Sequence, residues 1–494
     1  MMKLPILGIL IISVTIFSGC SSDKREPVAD SAYEIQSISA PDWLTYETGG
    51  IDFLPDGRLA ACFQRGEVML YDPKTKEWTL FAHGLHDPLG IMAVSKSEFL
   101  VIQRPELTRV KDTDGDGKAD VFETVTDDFG QAGNYHEFNF GPVKDKSGNL
   151  YIAISLPSEG GKIMPETRGR IDTNGVSPVQ FSVVPYQGWI LKITPDGKQI
   201  PYAMGFRTQN GIGFDLDEHL LVTDNQGDWV GTSKLYHVQE GNFYGHPASL
   251  VWKKDWNRGS PYKIPISELD SMRTRAAVLF PHGIMSKSPT QPVPDNTQGK
   301  FGPFSGQIFV GEMNSERIIR VMLETVDGEL QGACIPFIDG RGLRKGNNRL
   351  AFAPDGSLWV GQTSHGWPGD DGIQRIVFTG KQPMDVYSMN LTSDGFDLVF
   401  TQPVDSVAAL NPDNYKFQRY YYEYRQKYGS PRIDVQSIDV ENIAISPDRK
   451  KISLVLSSLK PGYIYQLNME NLRSGSGDSL ANSLICYTLN KLRR

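Results

Sequence analysis

Cysteine is scarce in this chain, with only Cys20, Cys62, Cys334 and Cys486 among 494 residues. No pair of them has a CxxC, CxxCH or zinc-site spacing, so covalent haem, a thiolate zinc centre and a disulfide scaffold are excluded as organising features. Long apolar runs are missing as well: beyond the N-terminus no segment approaches the length of a membrane span. Neither sign of charge dominates. The 58 acidic and 50 basic side chains leave a net charge of -8, which argues against nucleic acid as the main partner. Turn formers are what the chain does contain, 49 glycines and 31 prolines, and with few amphipathic helical stretches they imply many short strands.

The N-terminus reads as a targeting segment. Lys3 supplies the positive end, Leu4 to Phe17 the apolar run, and Phe17-Ser18-Gly19-Cys20 the close. That close resembles the lipobox of bacterial lipoproteins. The resemblance implies a signal peptide over residues 1–19, lipid on Cys20, a polar tether over 20–40, and a body held at the bacterial cell envelope, on the outer membrane, by its lipid alone. An ordinary secretory signal with a chance cysteine is the plainer alternative.

An internal repeat organises the rest. Ile51 to Ala61 reads as strand, Pro-Asp-Gly turn, strand, and Leu350 to Val360 nearly copies it. Degenerate versions fall at 91–101, 136–152 and 212–222, and a split one joins Gly283-Ile284-Met285 to Gly306 to Val310. A third strand follows most of these units. Six units of three to four strands predict a six-bladed β-propeller over 41–381. Beyond it, residues 382–494 alternate like half-buried strands and resemble a bacterial immunoglobulin-like module, a small β-sandwich, so the whole is all-β. The tyrosines at 420–424 are expected to pack that module against the propeller.

Phase within the repeat places residues before they have roles. If the first strand of each unit is innermost, entry positions and second-strand exits share one face around the channel mouth. Entries then include His136, Asn210 with Arg207, His282, and Asn348 with Arg349; exits include Asp224, Asn225, Gln226, Glu312, Asn314 and His365. Such a ring is a concave polar pocket. Taken singly, a histidine beside a strand is commonly structural, and arginines often brace backbone carbonyls.

A separate motif, Asp112-Thr113-Asp114-Gly115-Asp116-Gly117-Lys118-Ala119-Asp120-Val121-Phe122-Glu123, has the spacing of a twelve-residue calcium loop. Its ligand positions are Asp112, Asp114, Asp116, Lys118, Asp120 and Glu123. A strand rather than a helix precedes it, so the expectation is a structural Ca²⁺ loop.

Several phrases resemble the soluble pyrroloquinoline-quinone (PQQ) dependent glucose and sorbosone dehydrogenases, which are six-bladed propellers. They are His136 followed by Phe140-Gly141-Pro142, then Gly205-Phe206-Arg207-Thr208-Gln209-Asn210-Gly211, Gln226-Gly227 with Gly241 to Pro247, and Asn347-Asn348-Arg349. The resemblance implies oxidation of a carbohydrate or polyol hydroxyl, with His136 as base, Arg207 beside the reacting carbonyl, and Asn210, Gln226, Asn348 and Arg349 around PQQ. It also implies a second Ca²⁺ held by carbonyls of Gly227 and Asp228, and a separate periplasmic cytochrome as electron acceptor. Asn314 or a neighbour stands where that family has a cofactor-binding lysine. Two other classes remain open: a calcium-dependent lactonase using Asp224, Asn225 and Glu312, and a non-catalytic carbohydrate- or partner-binding protein using Trp189, Trp229, Trp252 and Trp367 as platforms.

Overall fold

The computed structural model describes residues 32–158, 164–165, 167–365 and 368–493. Cys20 and Trp367 lie outside them. The repeated turns form as their chemistry dictates: Leu54 and Arg58 close the first, the Leu54 N–H donating to the Arg58 carbonyl at 2.9 Å, and Gly57 takes φ +89° where a side chain would be strained. Ala353 to Ser357 closes the same way.

Six antiparallel blades of four strands result, five of them separate sheets and one the inner part of a larger sheet. Blade 1 runs Thr48–Phe53, Leu59–Phe63, Val68–Asp72 and Glu77–Ala82; blade 2 runs Gly90–Ser95, Glu98–Ile102, Leu107–Lys111 and Val121–Thr126. Blade 3 consists of Asn139–Lys144, Leu150–Ile154, Trp189–Ile193 and Gln199–Met204, and blade 4 of Gly211–Phe214, Leu220–Asp224, Ser233–His237 and Val278–Phe280. Blade 5 has Pro289–Pro294, Ile308–Glu312, Arg317–Val326 and Glu329–Asp339. The first strand of each blade is innermost, and these strands neighbour one another around the ring. Close approach needs small residues there: a Cβ on Gly90 would stand 1.7 Å from the Gly141 carbonyl oxygen.

Two expectations are corrected by the pairing. Blade 6 has Asn347–Phe352, Leu358–Gln362 and Gly372–Phe378 from its own repeat, and its outer strand is Tyr33–Ile38, paired from Tyr33↔Phe378 to Ile38↔Ile373. Those residues were expected in the tether over 20–40; their alternating apolar side chains instead join the ends of the ring. The inner strand of blade 5 is Pro289–Pro294 rather than 283–285. A strand with three prolines is tolerated because the innermost strand has a free edge facing the channel, where no ladder N–H is required.

Apolar clusters fill the spaces between blades, for example Phe63, Tyr71, Trp359 and Ile373 between blades 6 and 1. A fully buried Trp or Phe in such a layer contributes roughly 1.5–3 kcal/mol. The C-terminal region is a β-sandwich. One sheet has the order Val386–Leu391, Gly395–Phe400, Lys451–Leu456, Val440–Ile445, and the facing one Ile433–Ile438, Tyr415–Tyr421, Tyr463–Met469, Leu484–Leu489. This is the A-B-E-D against C-F-G order of immunoglobulin constant-type sandwiches with one strand added beside C. Leu484–Leu489 also pairs with the outer strand of blade 5 (Cys334↔Cys486), so one sheet of eight strands runs from the channel into the sandwich. No helix among the described residues is long and apolar enough to cross a membrane.

Candidate functional site

His136 sits in a loop held from three sides. Its backbone N–H donates to Asn134 Oδ1 (2.9 Å), and Asn134 Nδ2 donates to the Ser158 carbonyl (2.8 Å). Arg104 donates to the carbonyls of Asn134 and Glu137 while pairing with Asp87 at 2.6 Å. Glu137, fully buried, accepts the N–H groups of Ala132 and Gly133 and the Gln187 amide. The His136 ring is buried, with Nδ1 3.4 Å from the Leu156 carbonyl. Burial, and next the charge of Arg207, push its pKa down to about 4, so the ring is neutral near pH 7. With Nδ1–H directed to Leu156, the lone pair lies on Nε2.

Arg207 is fixed through the same residue: the Leu156 N–H donates to the Arg207 carbonyl at 2.9 Å. The exit of blade 4 supplies the other anchor, Asp224 accepting the N–H groups of Arg207 (3.2 Å) and Thr208 (2.7 Å). Gln180 completes the mount. Oriented to satisfy both ends of its amide, it accepts from Arg207 Nε (3.2 Å) and Nη2 (2.8 Å) and donates to Asp228 Oδ1. Buried Lys234 donates to the Asn225 carbonyl at 2.9 Å, and burial lowers its pKa to about 8.

These residues enclose a cavity of about 480 Å³ at the channel mouth, lined by His136, Arg207, Gln180, Asn225, Gln226, His282, Lys287, Asn314 and Tyr428 among others. Below it a narrow throat is walled by Leu89, Phe138, Phe140, Asn210, Asn225, Asn348 and His365. Phase thus brought His136, Arg207, Asn225, Gln226, His282 and Asn314 to one wall, with Asn210 and Asn348 one layer deeper.

Three assigned roles are not met. Arg349 does not face the cavity: it lies at the channel axis, donating to the carbonyls of Leu89 (2.8 Å), Asn210 (3.0 Å) and Asn348 (2.7 Å) over the Phe140 ring. Its fork braces blades 2, 4 and 6 and is spent on backbone. The two carbonyls expected to hold a second Ca²⁺ each already accept a backbone N–H, Gly227 from Gly429 (2.8 Å) and Asp228 from Val230 (2.9 Å), and the Asp228 carboxylate is buried against His246 Nε2 (3.2 Å) and Gln180. Trp189, Trp229 and Trp252 are buried in the propeller and present no platform.

The acidic loop is a hairpin tip on blade 2. Carboxylate oxygens of Asp112, Asp114 and Asp116 lie within 4.8 Å of one another. Asp120 and Glu123, expected as further ligands, are turned elsewhere: Asp120 accepts the Thr113 N–H and hydroxyl, and Glu123 pairs with Lys111 (3.1 Å) and Arg109 (3.6 Å) across the strand register. Lys118 donates its N–H to Asp116.

Sequence reasoning missed Gln180, Lys287 and Tyr428. Gln180 lies in the long insertion after Leu150–Ile154, Lys287 just before the unrecognised proline strand, and Tyr428 in the sandwich. The sandwich loop carrying Tyr428 docks on blade 4: Tyr424–Arg425 pairs with Trp229–Val230, and the Tyr428 ring lies 5.5 Å from the Arg207 guanidinium. The cavity is therefore composite, propeller on most sides and sandwich on one.

Fold and site together define a six-bladed β-propeller with a sandwich-capped polar cavity at its mouth. The chain belongs to the family described as domain of unknown function DUF7133, whose model matches residues 70–362. No curated protein matches. Similar solved structures include the PQQ-bound aldose sugar dehydrogenase of Streptomyces coelicolor (17% identity, TM-score 0.47, 71% of this chain and 99% of that one). The soluble aldose sugar dehydrogenase of Escherichia coli is another (14%, 0.48, 70% and 99%), and the pyranose dehydrogenase PQQ domain of Coprinopsis cinerea in its holo form a third (12%, 0.46, 70% and 96%).

Proposed function

We propose that the mouth cavity binds a small carbohydrate or related polyol and that His136 takes the proton from one of its hydroxyls while the hydride on the same carbon passes to a quinone acceptor, so that the alcohol becomes a carbonyl and the quinone a quinol. The observation that carries this is the placement of the His136 ring on the cavity wall, its Nδ1 3.4 Å from the Leu156 carbonyl and its neighbour Arg207 mounted through that same residue. The charge that depresses the imidazole also stabilises negative charge developing on the substrate oxygen. At about 480 Å³ the cavity suits a ligand of sugar size.

The calcium seat and the Arg349 contact that the sequence resemblance implies for PQQ are not met by these residues. No described residue lining the cavity is Asp or Glu, the Gly227 carbonyl is taken, and Arg349 is sequestered beneath the throat. A calcium-dependent lactonase meets the same objection: Asp224 is bonded to backbone N–H groups, and Glu312 to those of Lys287 and Ser288.

Export, lipidation at Cys20, residence at the outer membrane and electron transfer to a separate periplasmic cytochrome belong to the same proposal, supported by the lipobox and the family resemblance. Purified protein offered aldoses, polyols and lactones, with and without PQQ and Ca²⁺, tests it. Dye reduction with a sugar or polyol is expected; lactone hydrolysis alone, or binding with no turnover under any condition, would overturn it.

A further inference from the structure

Three features of the mouth cavity point to one ligand chemistry. Its walls carry two basic side chains, Arg207 and Lys287, and among the described residues lining it there is no carboxylate. The acids behind the wall face away: Asp224 and Glu312 toward backbone N–H groups, Asp228 toward His246 and Gln180. Lys287 has no ion-pair partner among the described residues, and its charge, after burial, depresses the neighbouring His282. An anion in the cavity would meet two cations and no repulsion at the wall.

The second feature is an amide without partners. Asn225 is 3% exposed and lines both cavity and throat; its backbone is fixed at both ends, by Thr208 and by Lys234 Nζ. Yet neither Oδ1 nor Nδ2 of its side chain has a hydrogen-bond partner among the described residues, and the same holds for Asn314 Oδ1 on the same wall. A buried amide left so costs about 1–3 kcal/mol, a cost that a ligand presenting both donors and acceptors relieves. Hydroxyl groups do so. The third feature is Tyr428, 53% exposed, whose ring offers an apolar face beside Arg207 to the carbon skeleton of such a ligand.

We infer that the ligand is a polyhydroxylated carboxylate, of the uronic or aldonic acid class, its carboxylate drawn to Arg207 and Lys287 and its hydroxyls to Asn225 and Asn314. This rests on the reading of the cavity as a hydroxyl-activating site, and names its substrate class.

Calorimetric titration of the whole protein with galacturonate and galactose, which differ in carboxylate against CH₂OH, tests it. Galacturonate is expected to bind at least about tenfold tighter. Lys287→Met, at an exposed position, should bring the two within about threefold of each other, whereas Asn225→Ala should weaken both alike. Equal affinity for the two sugars, no binding of either, or an unaltered ratio in Lys287→Met would overturn the inference. So would PQQ with Ca²⁺ binding in an Arg207- and Lys287-dependent way while galacturonate fails to compete, since the cations would then serve an anionic cofactor. Charge-selective binding without turnover would remove His136 as base and leave this inference standing; turnover of neutral sugars without selectivity would do the reverse.

Discussion

His136 and Arg207 share Leu156, one meeting its carbonyl and the other its N–H, which ties the mounts of the two side chains together. Their coupling has a pH signature. The folded His136 titrates at about 4 against an ordinary 6.5, so the unfolded chain takes up its proton first as pH falls. Stability is therefore unaffected by this residue above pH 6.5 and declines between 6.5 and about 4, by roughly 3 kcal/mol at most. Replacing Arg207 by Met removes the second cause of the depression. The histidine carbon resonance of His136 should then titrate at higher pH, as should the acid limb of any turnover. A His136 titration unmoved by that substitution would mean burial alone sets the value.

At the scale of elements, Arg349 teaches the most. The sequence resemblance placed it around PQQ, and its fork geometry instead suits three carbonyls converging at the axis. Burial lowers its pKa to about 10, yet it is still charged near neutrality. Arg349→Met strips those carbonyls of their donor and is expected to cost about 3 kcal/mol or more in denaturant unfolding. Affinity for any cavity ligand should change little by comparison; a selective loss of ligand binding with unchanged stability would return Arg349 to the site. For the hairpin tip on blade 2, isothermal titration with Ca²⁺ should show at best a weak site abolished by Asp112→Asn with Asp114→Asn, because Asp120 and Glu123 are otherwise engaged. A tight site would show that the loop rearranges to recruit them.

Local chemistry was readable at this scale and long-range chemistry was not. The Pro-Asp-Gly turns and the alternation around them are properties of neighbouring residues, so most blades, and with them the phase of His136, Arg207 and Asn225, could be read directly. The inner strand of blade 5 hid behind three prolines, a pattern that argues against a strand unless one edge is known to be free. Tyr428 reaches the site because Tyr424–Arg425 of the sandwich pairs with Trp229–Val230 of blade 4, and nothing in its sequence neighbourhood signals that.

The whole molecule is closed at two seams. Tyr33–Ile38 completes blade 6, with the Tyr33 ring against Phe301, Phe337 and Phe378, and its hydroxyl donating to the Phe301 carbonyl at 3.1 Å. Tyr33→Ala should lower stability by about 3 kcal/mol, and a chain beginning after Ile38 should expose the edge of Gly372–Phe378 and aggregate, as followed by light scattering. An undiminished melting temperature in both would mean the ring closes without that strand. The second seam is the shared sheet of blade 5 and the sandwich, and beside it the pairing of Tyr424–Arg425 with Trp229–Val230 of blade 4 sets Tyr428 over Arg207.

All of this converges on His136 as the group that activates a bound hydroxyl. The direct measurement is turnover of the sugar or sugar acid that the protein is found to oxidise, compared between the native chain and His136→Ala at pH 7. A fall of about 10²–10⁴-fold in kcat with ligand binding retained is the predicted result; unchanged turnover would remove His136 as the base and with it this account of the site.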